Sequence, residues 1–224
     1  MTKFNARAAA LLVASGLALS TAPAIAQTAA SSDTKTHKHS HDTSEQAKQI
    51  YKGYFEDAQI APRALTDWAG DWQSIYPLLK NGDLDEVWAH KAEHSDKTAE
   101  QYRAYYDIGY KTDVDRIMID ATSVTFFRPT GAVSANYESD GYEILNYKKG
   151  NRGVRFSFRK TGGDAAAPMF IQFSDHHIAP KKVGHYHIYW GNDRDAVLAE
   201  LTNWPTYFPT NMSAHDIAHD MIAH

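Results

Sequence analysis

The second half of the chain most constrains the fold, because six short segments there alternate apolar and polar side chains. In the clearest segment, Val154, Phe156 and Phe158 should face one way while the intervening polar residues, including Arg155, face the other. The segments are VDRIMI, SVTFF, YEILNY, GVRFSF, MFIQFSDH and GHYHIYW. Short strands at near-regular spacing, separated by turn residues, favour an antiparallel meander that closes into a barrel.

Helical spacing of apolar side chains predicts helices on both sides of this run. The predicted helices cover residues 44–57, 84–94, 98–110, 194–203 and 213–223. Before the strands, Gly70-Asp71-Trp72 matches the G-x-W pattern that opens the first strand of many lipocalin-like barrels, although a Trp that only packs in a core also explains it. The predicted fold class is therefore mainly β with added α-helices.

The N-terminus predicts export. Lys3 and Arg7 form a short positive region before the apolar run of residues 8–19, and AIA before Gln27 is a small-x-small cleavage pattern, so residues 1–26 are expected to form a cleaved signal peptide. No later segment approaches the roughly 18 continuous apolar residues of a membrane span. Residues 27–43 are small and polar and predict a flexible arm, with a single domain over residues 44–224.

Charge and cysteine content narrow the chemistry. The chain has 23 Lys and Arg against 27 Asp and Glu, and this acidic balance argues against nucleic acid as a partner. It has no cysteine, which excludes disulfides, thiolate ligands and a cysteine nucleophile. Any bound metal must therefore be held by His, Asp or Glu.

Four histidines lie between positions 176 and 187. His185 and His187 are two residues apart on a predicted strand, so their side chains should leave the same face. His176 ends the preceding strand candidate, and a hairpin would place it opposite His185 or its neighbours, with Cβ atoms about 5 Å apart. His177 should point to the opposite face, so we exclude it from the site.

Three imidazoles at one point suit Zn²⁺ and leave the fourth tetrahedral position to water or to a mobile ligand. We therefore predict that His176, His185 and His187 bind a metal ion. The alternative is that His-x-His only forms a polar outer face of a strand, which is the commoner meaning of that pattern by itself.

Two further groups of histidines have chelating spacing. His37, His39 and His41 lie in the arm and are candidate auxiliary ligands. The alternatives are a charged tail that binds no metal and a cloning tag. His215 and His219 are four residues apart on a predicted helix, with His224 at the terminus; an exposed amphipathic helix is the alternative there.

These motifs together resemble the ZinT (YodA) family of periplasmic zinc- and cadmium-binding proteins. The resemblance rests on LTDWAGDWQSIYPLL, DGYEILNYKKGNRGVRF, IQFSDHHIAPKKVGHYHI, GNDR and NWPTYFP, in this order, and on the His-rich arm. It implies a calycin (lipocalin-like) antiparallel β-barrel and a metal on His176, His185 and His187. The chain departs from enterobacterial relatives in lacking their two disulfide-forming cysteines.

The resemblance implies that a periplasmic protein scavenges zinc, and also cadmium, and delivers it to the zinc-uptake receptor of an ABC transporter, without catalysis. The main alternative is a zinc-dependent hydrolase or hydratase, because an open three-histidine site also lowers the pKa of bound water. A lipocalin that transports an apolar small molecule would need an empty barrel, whereas the many Phe and Tyr at alternating positions predict a filled one.

Overall fold

The computed structural model describes residues 39–223, with side chains from residue 45 onward. Eight antiparallel strands in this range pair in sequence order, and the last pairs with the first, which closes a barrel. The strands are β1 (Gly70–Ser74), β2 (Arg116–Ile119), β3 (Ser123–Arg128), β4 (Gly131–Asn146), β5 (Arg152–Gly163), β6 (Phe170–Ser174), β7 (Tyr186–Gly191) and β8 (Thr206–Pro209). The predicted antiparallel barrel is confirmed, and each of the six alternating segments contributes to a strand.

The strands that close the barrel differ in how well the sequence predicts them. Gly70-Asp71-Trp72 opens β1, as the G-x-W pattern indicates. Strand β8, which pairs with both β7 and β1, was not predicted. It is only four residues long, ends in Pro209 and lies in a segment with two prolines and no alternation.

Six α-helices lie in the described range: α1 (His39–Tyr51), α2 (Tyr76–Asn81), α3 (Asp85–Glu93), α4 (Ala99–Tyr110), α5 (Arg194–Ala199) and α6 (Ala214–Ala223). Helix α4 begins where predicted, because the Thr98 hydroxyl accepts a hydrogen bond from the Gln101 amide and the Gln101 side-chain oxygen accepts one from the Thr98 amide. Helix α2 was not predicted. None of these helices is long and apolar enough to cross a membrane.

Helix α1 ends earlier than the predicted residue 57. Gly53 has φ of 88°, and its amide donates to the Ile50 carbonyl, which terminates the helix after Tyr51. A side chain at Gly53 would collide with the backbone of Arg152, whose amide donates to the Gly53 carbonyl. The end of α1 is thereby fixed against the start of β5.

Aromatic side chains fill the barrel. Trp68 is fully buried, stacks on Phe173 at 4.6 Å between ring centroids and meets Phe158 edge-on at 5.7 Å. Trp72 donates from its indole nitrogen to the Trp68 carbonyl and packs edge-on against Tyr186. A filled interior argues against the carrier of an apolar small molecule.

The outer face of β5 is more buried than its polar residues predict. Arg155 and Ser157 are both buried, because helix α5 covers this part of the barrel. The Arg155 guanidinium donates to the carbonyls of Val197 and Glu200 and lies 3.3 Å from the centroid of the Tyr189 ring. A polar residue at an outward position of a strand is thus buried wherever a helix end supplies acceptors for it.

Candidate metal site

Three histidine rings meet at one end of the barrel. His187 lies in β7, His185 directly precedes that strand, and His176 follows β6 by two residues. Their ring centroids form a nearly equilateral triangle with sides of 6.4 Å (176 to 185), 6.2 Å (176 to 187) and 6.2 Å (185 to 187). A tetrahedral zinc with bonds of about 2.1 Å to three imidazoles puts their centroids about 5 Å apart. Each distance between two ring centroids must therefore shorten by about 1 Å before the three rings can bind one ion.

His176 reaches this triangle in a different way from the predicted hairpin pairing. Ser174 pairs with His187, and the same register two residues on would place His176 opposite His185. Strand β6 ends at Ser174, however, and His176 has φ of 66°. The chain has turned out of the strand, so the His176 ring approaches the other two from a loop. A left-handed backbone at a residue other than glycine costs about 1–3 kcal/mol and persists only where surrounding contacts hold it.

Those contacts come from a buried ion pair beside His176. The Arg63 guanidinium donates to both carboxylate oxygens of Asp175, at 2.8 and 2.9 Å, and both side chains are completely buried. Arg63 also donates to Asp67 at 2.7 Å and to the Lys181 carbonyl at 2.9 Å. Asp175 accepts the His177 amide at 2.9 Å. This network fixes the residues on both sides of His176.

His187 is held as a neutral ring with a defined tautomer. Its Nδ1 lies 2.7 Å from the Thr206 hydroxyl oxygen, and that hydroxyl donates its only proton to the Trp204 carbonyl. Nδ1 must therefore carry the hydrogen, which leaves the lone pair on Nε2. Burial, followed by the neighbouring His185, His176 and Arg155, holds the pKa of His187 well below its usual value. The ring is thus neutral at pH 7, as a metal ligand must be.

We expect the zinc-free protein to lose stability as the pH falls below about 6.5, because the unfolded chain then binds a proton at residue 187 that the folded chain does not. The part due to His187 is about 1.4 kcal/mol per pH unit, until the pH reaches the lowered pKa of the folded state. Urea denaturation at about pH 7, 6 and 5 measures it, with His187→Gln as the control that does not titrate. Equal pH slopes for the two proteins would contradict the prediction.

The other two rings also direct Nδ1 towards oxygen acceptors. His176 Nδ1 lies 3.3 Å from the Tyr51 carbonyl, and His185 Nδ1 lies 3.7 Å from the Asp220 carboxylate. An imidazole that donates from Nδ1 to a carbonyl or carboxylate keeps its Nε2 lone pair for a metal, which is the usual arrangement around protein zinc ions. His176 and His187 therefore present Nε2, and His185, whose Nδ1 faces Asp220 at more than hydrogen-bond distance, is oriented to do the same.

Aromatic stacking orients two of the three rings, and helix α1 supplies one of the stacking partners. His176 stacks on Tyr51 of α1 at 4.5 Å between centroids, and His185 stacks on Phe208 of β8 at 4.8 Å. Burial and the Asp220 carboxylate of α6 raise the pKa of Tyr51 to about 12, so its phenol stays protonated. Helices α1 and α6 thus both border the site.

A cavity of about 270 Å³ is shared by all three rings, and a neighbouring one of about 530 Å³ reaches His176 and His187 from the side of β5. Aromatic side chains line most of the smaller cavity and part of the larger one, with Tyr51, Tyr105 and Trp204 common to both. None of the described residues that line either cavity is Asp or Glu. The site therefore combines neutral nitrogen donors with aromatic walls.

The remaining histidine predictions have mixed outcomes. His177 is partly buried, burial lowers its pKa, and no ring contact between it and the other three is found among the described side chains. His215 and His219 are exposed on α6, which buries Ile217 and Met221 on its other face, and His215 lies 3.9 Å from Glu86. This matches the exposed amphipathic helix that the sequence analysis gave as the alternative to a second metal site on α6.

The arm and both chain ends lie outside the described residues or side chains. This applies to the predicted signal peptide, to His37 and to His224, and to the side chains of His39 and His41, whose backbone belongs to α1. The prediction that arm histidines bind metal therefore stays a prediction.

Several residues around the site were missed by the sequence analysis: Tyr51, Arg63, Asp175, Thr206, Phe208 and Asp220. Only Asp175, next to His176, had a local signal. The others lie in segments far from the histidines in sequence, and only closure of the barrel brings them near.

Comparison with protein families gives a match over residues 46–224 to the model described as ZinT (YodA) periplasmic lipocalin-like zinc-recruitment. A probable metal-binding protein of Bacillus subtilis, YrpE, is 55% identical over 181 residues, which is 80% of this chain and 72% of that protein. The zinc-binding lipoprotein AdcA of Streptococcus pneumoniae is 45% identical over 185 residues, 82% of this chain but only 37% of AdcA.

Two solved structures are similar to the fold. The Zn(II)-bound ZinT-like domain of S. pneumoniae AdcA matches with a TM-score of 0.75 and 44% identity, over 77% of this chain and 97% of that domain. Zn(II)-bound AdcA itself matches with a TM-score of 0.76 and 43% identity, over 87% of this chain and 40% of AdcA.

Proposed function

Because the chain belongs to the ZinT (YodA) family of periplasmic lipocalin-like zinc-recruitment proteins, we propose that it captures zinc through His176, His185 and His187. It then releases the ion to the zinc-uptake receptor of an ABC transporter. Zinc is the cargo in this proposal. We extend the proposal to Cd²⁺, a larger divalent ion that also accepts imidazole ligands.

One observation supports this proposal most: all three rings lie within 6.4 Å of one another and point Nδ1 at an oxygen atom. Three neutral Nε2 donors suit Zn²⁺ and leave its fourth position open. Water, a receptor ligand or one of the arm residues His37, His39 and His41 would complete it. An open position lets a receptor bind the ion before the three histidines release it.

The same three-histidine geometry suits a zinc hydrolase or hydratase, so the choice depends on what surrounds it. A hydrolytic zinc site usually needs a general base near the metal-bound water. The described cavity linings contain no carboxylate, and the nearby Asp220 is directed at His185 Nδ1. These features favour binding over catalysis, and we propose that the chain is not an enzyme.

The location follows from segments outside the described residues. We propose that residues 1–26 are cleaved as a signal peptide, that residues 27–43 form an N-terminal arm whose last residues, from His39, begin helix α1, and that residues 44–224 act as one metal-binding domain in the periplasm. AdcA is named as a zinc-binding lipoprotein, whereas the present sequence has no cysteine and so no thiol to acylate.

We expect zinc-loaded protein to transfer its ion to the cognate uptake receptor faster than to a chelator of equal affinity, at a rate that rises with receptor concentration. Stopped-flow measurement with a fluorescent zinc probe checks this. Deleting residues 27–42, or replacing His37, His39 and His41 together with Gln at unchanged length, should slow capture or lower the zinc stoichiometry without unfolding the barrel.

Three outcomes would count against the proposal. If transfer is no faster to the receptor than to the chelator and does not depend on receptor concentration, the protein buffers zinc passively and does not deliver it. Unchanged zinc capture after both changes to the arm would mean that the arm does not take part in zinc binding. Zinc-dependent esterase activity or CO₂ hydration that disappears with His185→Ala would support the enzyme instead.

A further inference from the structure

A second group of metal donors lies at the C-terminal end of helix α3. His90, Glu93 and His94 follow one another at i, i+3 and i+4, a spacing that puts three side chains on one helical face. One ligand atom from each residue lies within 4.8 Å of the ligand atoms of the other two. The two imidazole centroids are 5.1 Å apart. These donors are already nearly close enough to bind one ion together.

The three side chains have no other described partner. Within the described part of the chain, no hydrogen bond or ion pair is found for the side chain of His90, Glu93 or His94, although Glu93 and His94 are exposed and His90 is partly so. On the same helix, Asp85 and Glu86 face Arg103 and His215 instead. The donor atoms at the C-terminal end are therefore not committed to a neighbouring cation.

The position on the helix also favours a cation. The last carbonyl groups of an α-helix carry a partial negative charge of about half an electron, and His94 is the C-cap of α3. A divalent ion there would gain from this charge as well as from the Glu93 carboxylate. A helical His pair four residues apart is a known basis for zinc ligation.

We propose that His90, Glu93 and His94 form a second binding site for Zn²⁺. Two imidazoles and one carboxylate match the donor sets that zinc accepts, and solvent would supply the fourth ligand. Because the site is exposed and made by a single helix, it binds more weakly and exchanges faster than the site at His176, His185 and His187.

Its place in the fold suggests an accessory role in capture. Lys91, the residue after His90, lines the 270 Å³ cavity that the three site histidines share. Helix α3 thus borders that cavity through Lys91, while His90, Glu93 and His94 lie on another face of the same helix and share no ligand with the first site. The second site does not depend on the proposed function, since its donors are available whether or not the first site delivers zinc to a receptor.

Isothermal titration of Zn²⁺ into the mature chain tests the proposal, with His90→Gln/His94→Gln as the variant. We expect the variant to lose about one equivalent of the weaker zinc while it keeps the tight class unchanged. Glu93→Gln, which keeps both imidazoles, should weaken this class without removing it. The matched control is His215→Gln/His219→Gln, which removes two histidines at the same spacing from another exposed helix and should change nothing.

Anomalous diffraction at the zinc edge from zinc-soaked crystals gives an independent measurement, with a peak expected between His90 and His94. Identical titrations of the wild type and the His90→Gln/His94→Gln variant would overturn the proposal. Loss of the weaker class in the His215→Gln/His219→Gln control alone would also overturn it and place the second site on α6. Neither result would affect the tight class, so the two proposals can fail separately.

Discussion

Alanine at His176, at His185 or at His187 will each lower zinc affinity by about a hundredfold or more, because a three-ligand site loses a third of its protein donors. Each ring has its own support, from Tyr51, from Phe208 and from Thr206 respectively. No described neighbour replaces a lost ring at its corner of the triangle. Competition titration with a chelator of known affinity measures the change.

His177→Ala is the matched control for this series. It removes an imidazole next to His176 whose ring makes no described contact with the three site rings. We expect its zinc affinity to stay within about twofold of the wild type. An equal loss at residue 177 would show that the assignment of faces around the β6–β7 connection is wrong. Circular dichroism of each zinc-free variant separates loss of a ligand from loss of the fold.

The barrel was predictable because the sequence of most of its strands alternates apolar and polar residues. In segments such as Gly153–Phe158, apolar side chains that enter the barrel alternate with polar ones on its outer face, and turn residues mark the ends. Strand β8 has no such signal, because it is four residues long and its position is fixed by pairing with β7 and β1. Burial of Arg155 is equally nonlocal, since its acceptors lie on α5, more than forty residues away.

The site was predictable to the level of its three rings and no further. The His-x-His spacing predicts that two rings share a face, and the short connection to β6 brings the third within reach. The oxygen atoms that face each Nδ1 come from Tyr51, Thr206 and Asp220. These residues belong to the two ends of the chain, which no local pattern relates to positions 176–187.

For the pair at His90 and His94, a local pattern was present in the sequence but did not identify the site. Its spacing of four residues within a predicted helix was visible in the sequence, as was the similar pair at His215 and His219. Spacing alone does not distinguish the two pairs. The structure does, because Glu93 adds a third donor within 4.8 Å at one pair, whereas His215 of the other faces Glu86 at 3.9 Å.

Replacing Arg63 with Met will cost the protein about 3–5 kcal/mol of unfolding free energy, because it leaves the carboxylate of Asp175 buried without its cation. Both side chains are fully buried, and Arg63 donates to both Asp175 oxygens. Chemical denaturation of the zinc-free protein measures the loss. Arg155→Met is a matched control, since that buried guanidinium donates to carbonyls rather than to a carboxylate, and we expect it to cost less.

The double variant Arg63→Met/Asp175→Asn separates stability from positioning. It removes the uncompensated charge, so it should recover part of the stability that Arg63→Met loses. It should not recover zinc affinity, because the Lys181 carbonyl also loses its donor and the Arg63–Asp175 contacts beside the positive φ of His176 are gone. Zinc titration at a temperature where both variants are folded decides this. Wild-type affinity in the double variant would mean that the ion pair only stabilises the barrel, and that the ring of His176 is positioned by its contact with Tyr51 alone.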